Sequence, residues 1–246
     1  MGLEKVQATY EQLGSEDPLW AILTDDRFRG NKWDPAAFFA TGREEIAQVL
    51  RDLAAQGHKV GGGTALDFGC GVGRLTQALC DHFQQVIGID ISTTMIDGAI
   101  KWNQHGERCR YLVNTTATID AVADGTVDFV YSNITLQHSP PRYQVGYIAE
   151  FLRMLRPGGL AVFQVRIGPY RAPGSIADAW YRLKSETLRP LWKRMRGRPP
   201  VQSHTISERD VQEAVARAGG RVLAAVNTDK VPRRSRRSLR YTIQKP

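Results

Sequence analysis

Along its middle two thirds the 246-residue chain alternates short apolar runs with amphipathic stretches, the pattern of strands interleaved with helices. Ile46, Val49, Leu50, Leu53 and Ala54 recur at three- and four-residue spacing, predicting a helix over Arg43–Gly57 that Gly57 and Gly61 to Gly63 stop. An apolar strand through Ala65-Leu66-Asp67-Phe68 leads into a loop with glycine at 69, 71 and 73. A helix with Leu75, Leu79 and Phe83 on its buried stripe comes next. Val86-Ile87-Gly88-Ile89 reads as a second strand ending in Asp90. Ser92 is placed to cap a helix carrying Met95, Ile96, Ala99 and Ile100. Strands are expected over Arg108–Asn114, Val127–Asn133 and Leu160–Arg166, with a helix from Pro140 to Leu155 ahead of the last. A helix over Ser207–Ala218 turns Val211, Ala214, Val215 and Ala218 inward. No helix separates the closing strands, Arg221–Val226 and Leu239–Ile243, which suits an antiparallel hairpin on a parallel sheet.

Strand, glycine loop, helix, strand and acid form the front half of a nucleotide-binding βαβ unit. The glycines let the backbone take positive φ and approach a ligand closely. Asp90 is placed to accept hydrogen bonds from both hydroxyls of a ribose. In the dinucleotide fingerprint the third glycine stands three residues after the second. Here Gly73 follows Gly71 by two, and Asp67 precedes the loop. A carboxylate at that point disfavours a pyrophosphate and suits a ligand with a positive charge.

Asp67-x-Gly69-x-Gly71-x-Gly73 followed by Asp90 resembles the cofactor site of class I S-adenosylmethionine-dependent methyltransferases. Val127-Asp128-Phe129-Val130-Tyr131-Ser132-Asn133 is similar to the family's fourth strand. Leu136-Gln137-His138 resembles the segment that follows it in small-molecule members, and Leu155-Arg156-Pro157-Gly158-Gly159-Leu160 the turn into the fifth strand. The resemblance covers residues 43–166 well and 203–245 more loosely. It implies an α/β, Rossmann-like sheet of seven strands, mostly parallel, with an antiparallel C-terminal hairpin. It also implies S-adenosyl-L-methionine as cofactor and S-adenosyl-L-homocysteine as product. By the same resemblance Asp67, Gly69, Gly71 and Gly73 line the methionine end, Asp67 acting on the amino group directly or through water and Cys70 through its backbone. Asp90 holds the ribose, Ile91 packs on the adenine, Ser92 caps the adjoining helix and Met95 touches the adenine face. An acidic residue often holds the adenine amino group after the third strand. This chain has Asn114 and Thr115 there, either of which offers a neutral oxygen. Asn133 and Ile134 either border the sulfonium or simply close the strand end.

Methyl transfer from a sulfonium is an in-line displacement, so alignment and desolvation do most of the work. An alcohol acceptor must also lose a proton, and a histidine suits that task. His138 falls near the methyl group in related sequences, as a general base or as a structural or substrate-binding histidine. His204 is a weaker candidate that could reach the pocket from the insert. After Asn133 the chain lacks the Pro-Pro-aromatic stretch of amide-nitrogen methylases, and it has no Pro-Cys pair of the kind used for pyrimidine carbon methylation. Ser132–Arg142 contains no carboxylate cluster, so no metal site is expected. The preferred function is methylation of a hydroxyl oxygen on a natural product, a sugar or a lipid-like intermediate. An RNA methyltransferase and a non-catalytic S-adenosylmethionine-binding regulator are the alternatives, a nicotinamide dehydrogenase a distant one.

Composition fits one large α/β core, with 42% hydrophobic residues. Residues 1–42 hold Trp20, Trp33, Phe38 and Phe39 and are expected to form an N-terminal helical cap on a methyltransferase domain of residues 43–246. Residues 167–204, with Trp180, Tyr181, Leu183, Leu188, Leu191, Trp192 and Met195 broken by Pro190, are expected to be a helical lid over the acceptor. The net charge of +8 is concentrated: nine Lys/Arg face only Asp178 and Glu186 between Arg166 and Arg198, and seven more lie from Lys230 onward without an acid. Such segments draw an anionic acceptor, RNA or a lipid surface, or simply keep the protein solvated. Cys70, Cys80 and Cys109 have no paired spacing, the N-terminus lacks a signal-peptide pattern, and no apolar run is long enough to span a bilayer. A cytoplasmic setting is the expectation.

Overall fold

Strands β1 (Thr64–Phe68), β2 (Gln85–Asp90), β3 (Cys109–Val113), β4 (Val127–Ser132) and β5 (Leu155–Ile167) pair in parallel. β7 (Arg237–Gln244) joins β5 antiparallel, and β6 (Arg221–Asn227) pairs antiparallel with β7. The order across the sheet is β3-β2-β1-β4-β5-β7-β6. The computed structural model describes residues 2–169, 174–184, 188, 201–229 and 237–246. The seven-stranded sheet with its closing hairpin is therefore the expected one. Chain order reverses between β1 and β4, the switch point where open α/β sheets leave a crevice beyond the carboxyl ends of their strands.

Helices cover both faces, which is why the central strands read as nearly unbroken apolar runs. On one face α6 (Pro141–Met154) and α8 (Glu208–Arg217) bury Tyr147, Phe151, Val211 and Val215 against Phe163 and Tyr241. On the other, α3 (Pro35–Ala55) and α4 (Arg74–Cys80) bury Ile46, Val49, Leu53 and Leu79 against Phe129 and Val162. Ser92 caps α5 (Thr93–Trp102) as expected, its hydroxyl accepting from the Met95 amide at 3.2 Å.

Several boundaries differ from the sequence reading. α3 starts at Pro35, not Arg43, because the Asp34 side chain caps it by accepting from the Ala37 amide and Pro35 supplies a preset φ at the first position. Residues 35–42 are thus its first two turns. Phe83 is buried but lies beyond the end of α4, in the turn before β2. Ile100 is 58% exposed, outside the buried stripe of α5. β5 begins at Leu155, five residues early, pairing with Val127 before an irregularity restores the register at Leu160.

The N-terminal segment folds as α1 (Leu3–Glu16), α2 (Pro18–Ile22) and a turn that stacks Phe28 on Trp33 with centroids 3.8 Å apart. Leu19 and Phe38 pack with Val72 of the glycine loop and Met95 of α5, so this segment covers the carboxyl ends of the strands. In the insert, α7 (Ile176–Leu183) exposes Trp180 and Leu183 and sits on the body through Tyr181, whose hydroxyl accepts from the Thr205 amide at 3.0 Å. Pro190, Leu191, Trp192 and Met195 lie outside the described residues.

Gly42 lets α3 approach α4 closely. A Cβ there would stand 2.4 Å from the Arg74 carbonyl oxygen. Alanine normally gains about 1 kcal/mol over glycine within a helix. Gly42→Ala is expected instead to lower unfolding stability by about 1–3 kcal/mol, because overpacking outweighs propensity. Urea denaturation checks this, and a raised midpoint would contradict the packing.

Candidate active site

The loop after β1 turns on glycines with φ of +78° at Gly69, +53° at Gly71 and +84° at Gly73. A Cβ on Gly69 would lie 2.1 Å from Thr135 Cγ2, and one on Gly71 2.5 Å from Ile22 Cδ1. No side chain fits at either point, so the bare backbone forms the floor. The amides of Gly69 and Cys70 donate to the Ile89 carbonyl at 2.7 and 3.0 Å, tying the loop to β2. Asp90 then takes the Gly71 amide on Oδ2 and the Ser92 amide on Oδ1, each at 2.9 Å. Every carboxylate oxygen accepts more than one bond, so both still present acceptor capacity. Burial pushes the Asp90 carboxyl up, against the downward pull of the Ser92, Gly71 and Ile91 amides.

Above this floor lies a cleft of about 800 Å³, part of it open to solvent. Of the residues expected from sequence, Gly69, Gly71, Asp90, Ile91, Met95, Asn114, Asn133, Ile134 and His138 line it. Asp67, Cys70, Gly73, Ser92 and Thr115 are not among its lining residues. The Asp67 side chain lies under the loop, where Oδ2 accepts from Thr76 Oγ1 at 2.7 Å and Oδ1 is buried with no hydrogen-bond partner. Desolvation pushes its carboxyl up to about 7, against the pull of Thr76 and Arg74. Cys70 is buried, Gly73 caps α4, and Thr115 is exposed. His204 is also buried away from the cleft, its amide donating to the Gln137 carbonyl at 2.7 Å. The Asn114 side chain turns back on Thr116, donating to its carbonyl at 3.0 Å and accepting from its hydroxyl at 3.2 Å.

An N-terminal cap is expected from sequence, but the residues by which it faces the cleft are not among the expected site residues. Val6 and Tyr10 of α1, with Ala21 and Ile22, line the cleft from the N-terminal side. The apolar positions Leu3, Val6, Tyr10 and Leu13 recur at helical spacing and would have marked that face. Phe68, Ile89, Thr135, Ser139 and Tyr147 complete the wall.

Glu45 of α3 positions the end of β4. Its Oε1 accepts from Tyr131 at 2.8 Å and from Asn133 Nδ2 at 2.6 Å, and Oε2 from Arg74 at 2.8 Å. Arg74 is buried and Glu45 only partly exposed, so removing either partner would leave a charge uncompensated in a low-dielectric setting. Ile134 takes φ of +58°, which for a β-branched residue stores about 1–3 kcal/mol. That strained turn delivers the short 3-10 helix Leu136–His138 to the cleft edge. His138 Nδ1 lies 2.8 Å from the Gln202 carbonyl oxygen, and Nε2 lies 3.4 Å from Gln137 Nε2. A carbonyl only accepts, so Nδ1 carries the proton in the neutral ring and Nε2 the lone pair.

A parallel sheet with a C-terminal hairpin, a glycine loop and a strand-end acid at its switch point is the fold of class I methyltransferases. The family described as "Methyltransferase domain" matches residues 66–163. Residues 66–163 thus carry a methyltransferase domain, and the matches together support a class I S-adenosylmethionine-dependent methyltransferase. It is 33% identical over 147 residues to an uncharacterized methyltransferase of Mycobacterium ulcerans (strain Agy99), covering 58% of this chain and 56% of the relative. It is 28% identical over 179 residues to one of Mycobacteroides abscessus, covering 67% of each. The chain thus spans little more than half the length of the first of these relatives. Among solved structures, magnesium protoporphyrin IX methyltransferase from Synechocystis PCC 6803 with bound SAH superposes with a TM-score of 0.61 at 18% identity over 99% of both chains. Geranyl diphosphate C-methyltransferase from Streptomyces coelicolor A3(2) gives 0.57 at 16% identity over 89% of each. Both share the fold.

Asp67 carries a stability prediction. Its folded carboxyl titrates near 7, above the ordinary value of 3.8, so the ligand-free native state binds the extra proton and loses stability as pH rises through that interval. Asp67→Asn keeps the shape and removes the charge. It is expected to raise stability of the ligand-free protein at pH 8 by roughly 3 kcal/mol, with the gain vanishing toward pH 4. Denaturant melts across that range check the slope, and a pH-independent difference would contradict the buried charge.

Proposed function

We propose that the protein transfers the methyl group of S-adenosyl-L-methionine to a hydroxyl oxygen of a small-molecule acceptor, with His138 as general base and S-adenosyl-L-homocysteine as product. The observation that carries this reading is His138 on the wall of the same cleft as Asp90 and the glycine loop, its ring held by a backbone carbonyl. The residues fit the cofactor. Gly69 and Gly71 leave a bare floor that a Cβ would fill, and the orphaned Oδ1 of Asp67 is a carboxylate oxygen in need of a donor. Asp90 offers paired acceptors to the two ribose hydroxyls, and Ile91 and Met95 offer apolar surface to the base.

When bound, S-adenosylmethionine supplies an electrophilic methyl group on a cationic sulfur. The chain's own work is to align, to exclude water and to take a proton. Asn133, held by Glu45, and the strained Ile134 border the point where the acceptor meets that methyl. From an acceptor hydroxyl placed in line with that methyl group, His138 Nε2 would take the hydroxyl proton. The Gln202 carbonyl steadies the resulting imidazolium through Nδ1–H.

In this reading residues 1–42 cap the cleft and residues 167–204 form the acceptor-side lid, whose Gln202 carbonyl fixes the base. The basic residues of that insert favour an acceptor with an anionic group. The named neighbours handle a porphyrin and a geranyl diphosphate, so the fold leaves the acceptor open and the site must choose it. Among the described residues no helix is long and apolar enough to cross a membrane.

Incubation with methyl-labelled S-adenosylmethionine and two pools, a small-molecule extract and total RNA, tests the reading. Label is expected in the small-molecule pool and reduced about a hundredfold in His138→Ala, with S-adenosylhomocysteine affinity unchanged by calorimetry. Label in RNA would overturn the acceptor class, and full activity of the variant would remove His138 as the base. Asp90→Ala is expected to weaken S-adenosylhomocysteine binding about tenfold or more, through lost charge-assisted bonds. Wild-type affinity would contradict the placement of the ribose.

A further inference from the structure

The first turn of α5 leaves three amides in need of acceptors, and two residues divide them. The Ser92 hydroxyl takes Met95 N. Glu11, reaching across from α1, takes Thr93 N at 2.6 Å and Thr94 N at 3.0 Å. The same carboxylate accepts from the hydroxyls of Ser92, at 3.1 Å, and Thr94. Burial alone would raise the Glu11 carboxyl, but the bonds from Thr94, Thr93 and Ser92 hold it below the ordinary range, as an anion at a helix N-terminus should be. Gly14, one turn further on, lets the helices meet: a Cβ there would stand 3.3 Å from the Thr94 side chain.

Ser92 also donates its amide to Asp90. A short chain of hydrogen bonds therefore runs from Glu11 through Ser92 to the acid at the base of the cleft. The residue before Glu11 faces the other way. Tyr10 lines the cleft and sets its ring edge-on to His138, with centroids 5.5 Å apart and planes at 68°. It lies close enough to Asp90 that the carboxylate and burial together push its hydroxyl well above the ordinary range, so it stays protonated.

We propose that α1 is a working part of the site, with Glu11 and Tyr10 as positioning residues: Glu11 clamps α1 to the start of α5 and so holds Asp90 for the cofactor, and Tyr10 holds the His138 ring. The inference rests on the function proposed above and adds a coupling to it. Two neighbouring residues on one helix join the cofactor end of the cleft to the proton-accepting end.

Calorimetry with S-adenosylhomocysteine and steady-state kinetics on the full chain test the two halves separately. Glu11→Ala is expected to weaken S-adenosylhomocysteine binding about five- to thirtyfold, with Glu11→Gln in between. Tyr10→Ala is expected to cut kcat about three- to tenfold at saturating cofactor, and Tyr10→Phe to restore it. Hydrogen exchange at the Thr93 and Thr94 amides should slow further when S-adenosylhomocysteine binds. If Glu11→Ala fails to fold, Glu11→Gln carries the same comparison. Wild-type affinity in a folded Glu11 variant, or loss in Tyr10→Phe equal to that in Tyr10→Ala, would overturn the inference. A wild-type protein that binds no S-adenosylhomocysteine would instead overturn the function on which it rests.

Discussion

The carboxylate of Asp90 is the constraint on which the rest of the site depends. It ends β2 with one oxygen taking the Gly71 amide and the other the Ser92 amide. Those two bonds fix the glycine loop and the start of α5 to the same strand end. The loop could not reach this position with side chains, since Thr135 and Ile22 already fill the space where a Cβ at Gly69 or Gly71 would stand. Burial makes the arrangement electrostatically demanding, because two carboxyls, Asp67 and Asp90, sit at neighbouring strand ends with raised affinity for protons. A ligand that brings hydroxyl donors to one and a cation to the other would relieve both.

Two further carboxylates brace this centre from outside. Glu45 ties α3 to Arg74 and to the end of β4, and so holds Asn133 at the cleft. Glu11 ties α1 to the start of α5. The strain at Ile134 is tolerated between them and aims the turn that carries His138. Rigid strands thus supply the cofactor side, while a strained turn and the returning insert supply the side where protons move.

How much of this could be read from the residues follows from what each feature depends on. The sheet and its hairpin were legible because short apolar runs between amphipathic stretches, and the missing helix before Leu239, are local features of the sequence. Gly69, Gly71 and Asp90 were legible because their spacing records a close backbone approach. Asp67 was identified as a site residue, but its burial beneath the loop depends on Thr76 and the packing of α4, which no spacing reveals. The start of α3 was missed because apolar periodicity weakens before Ile46, whereas the cap at Asp34 is set by a single side chain. The cap over residues 1–42 was legible, but its cleft-facing residues were not, for a different reason. Val6, Tyr10 and Glu11 act on residues more than 80 positions away, and only the fold brings them together.

The most direct test of the central claim is a crystal structure of the protein with S-adenosylhomocysteine. Both ribose hydroxyls are expected within hydrogen-bond distance of the Asp90 carboxylate, the adenine against Ile91 and Met95, and the sulfur facing Asn133 and His138 beneath α1. A ribose bound elsewhere, with Asp90 still holding only backbone amides, would contradict that placement.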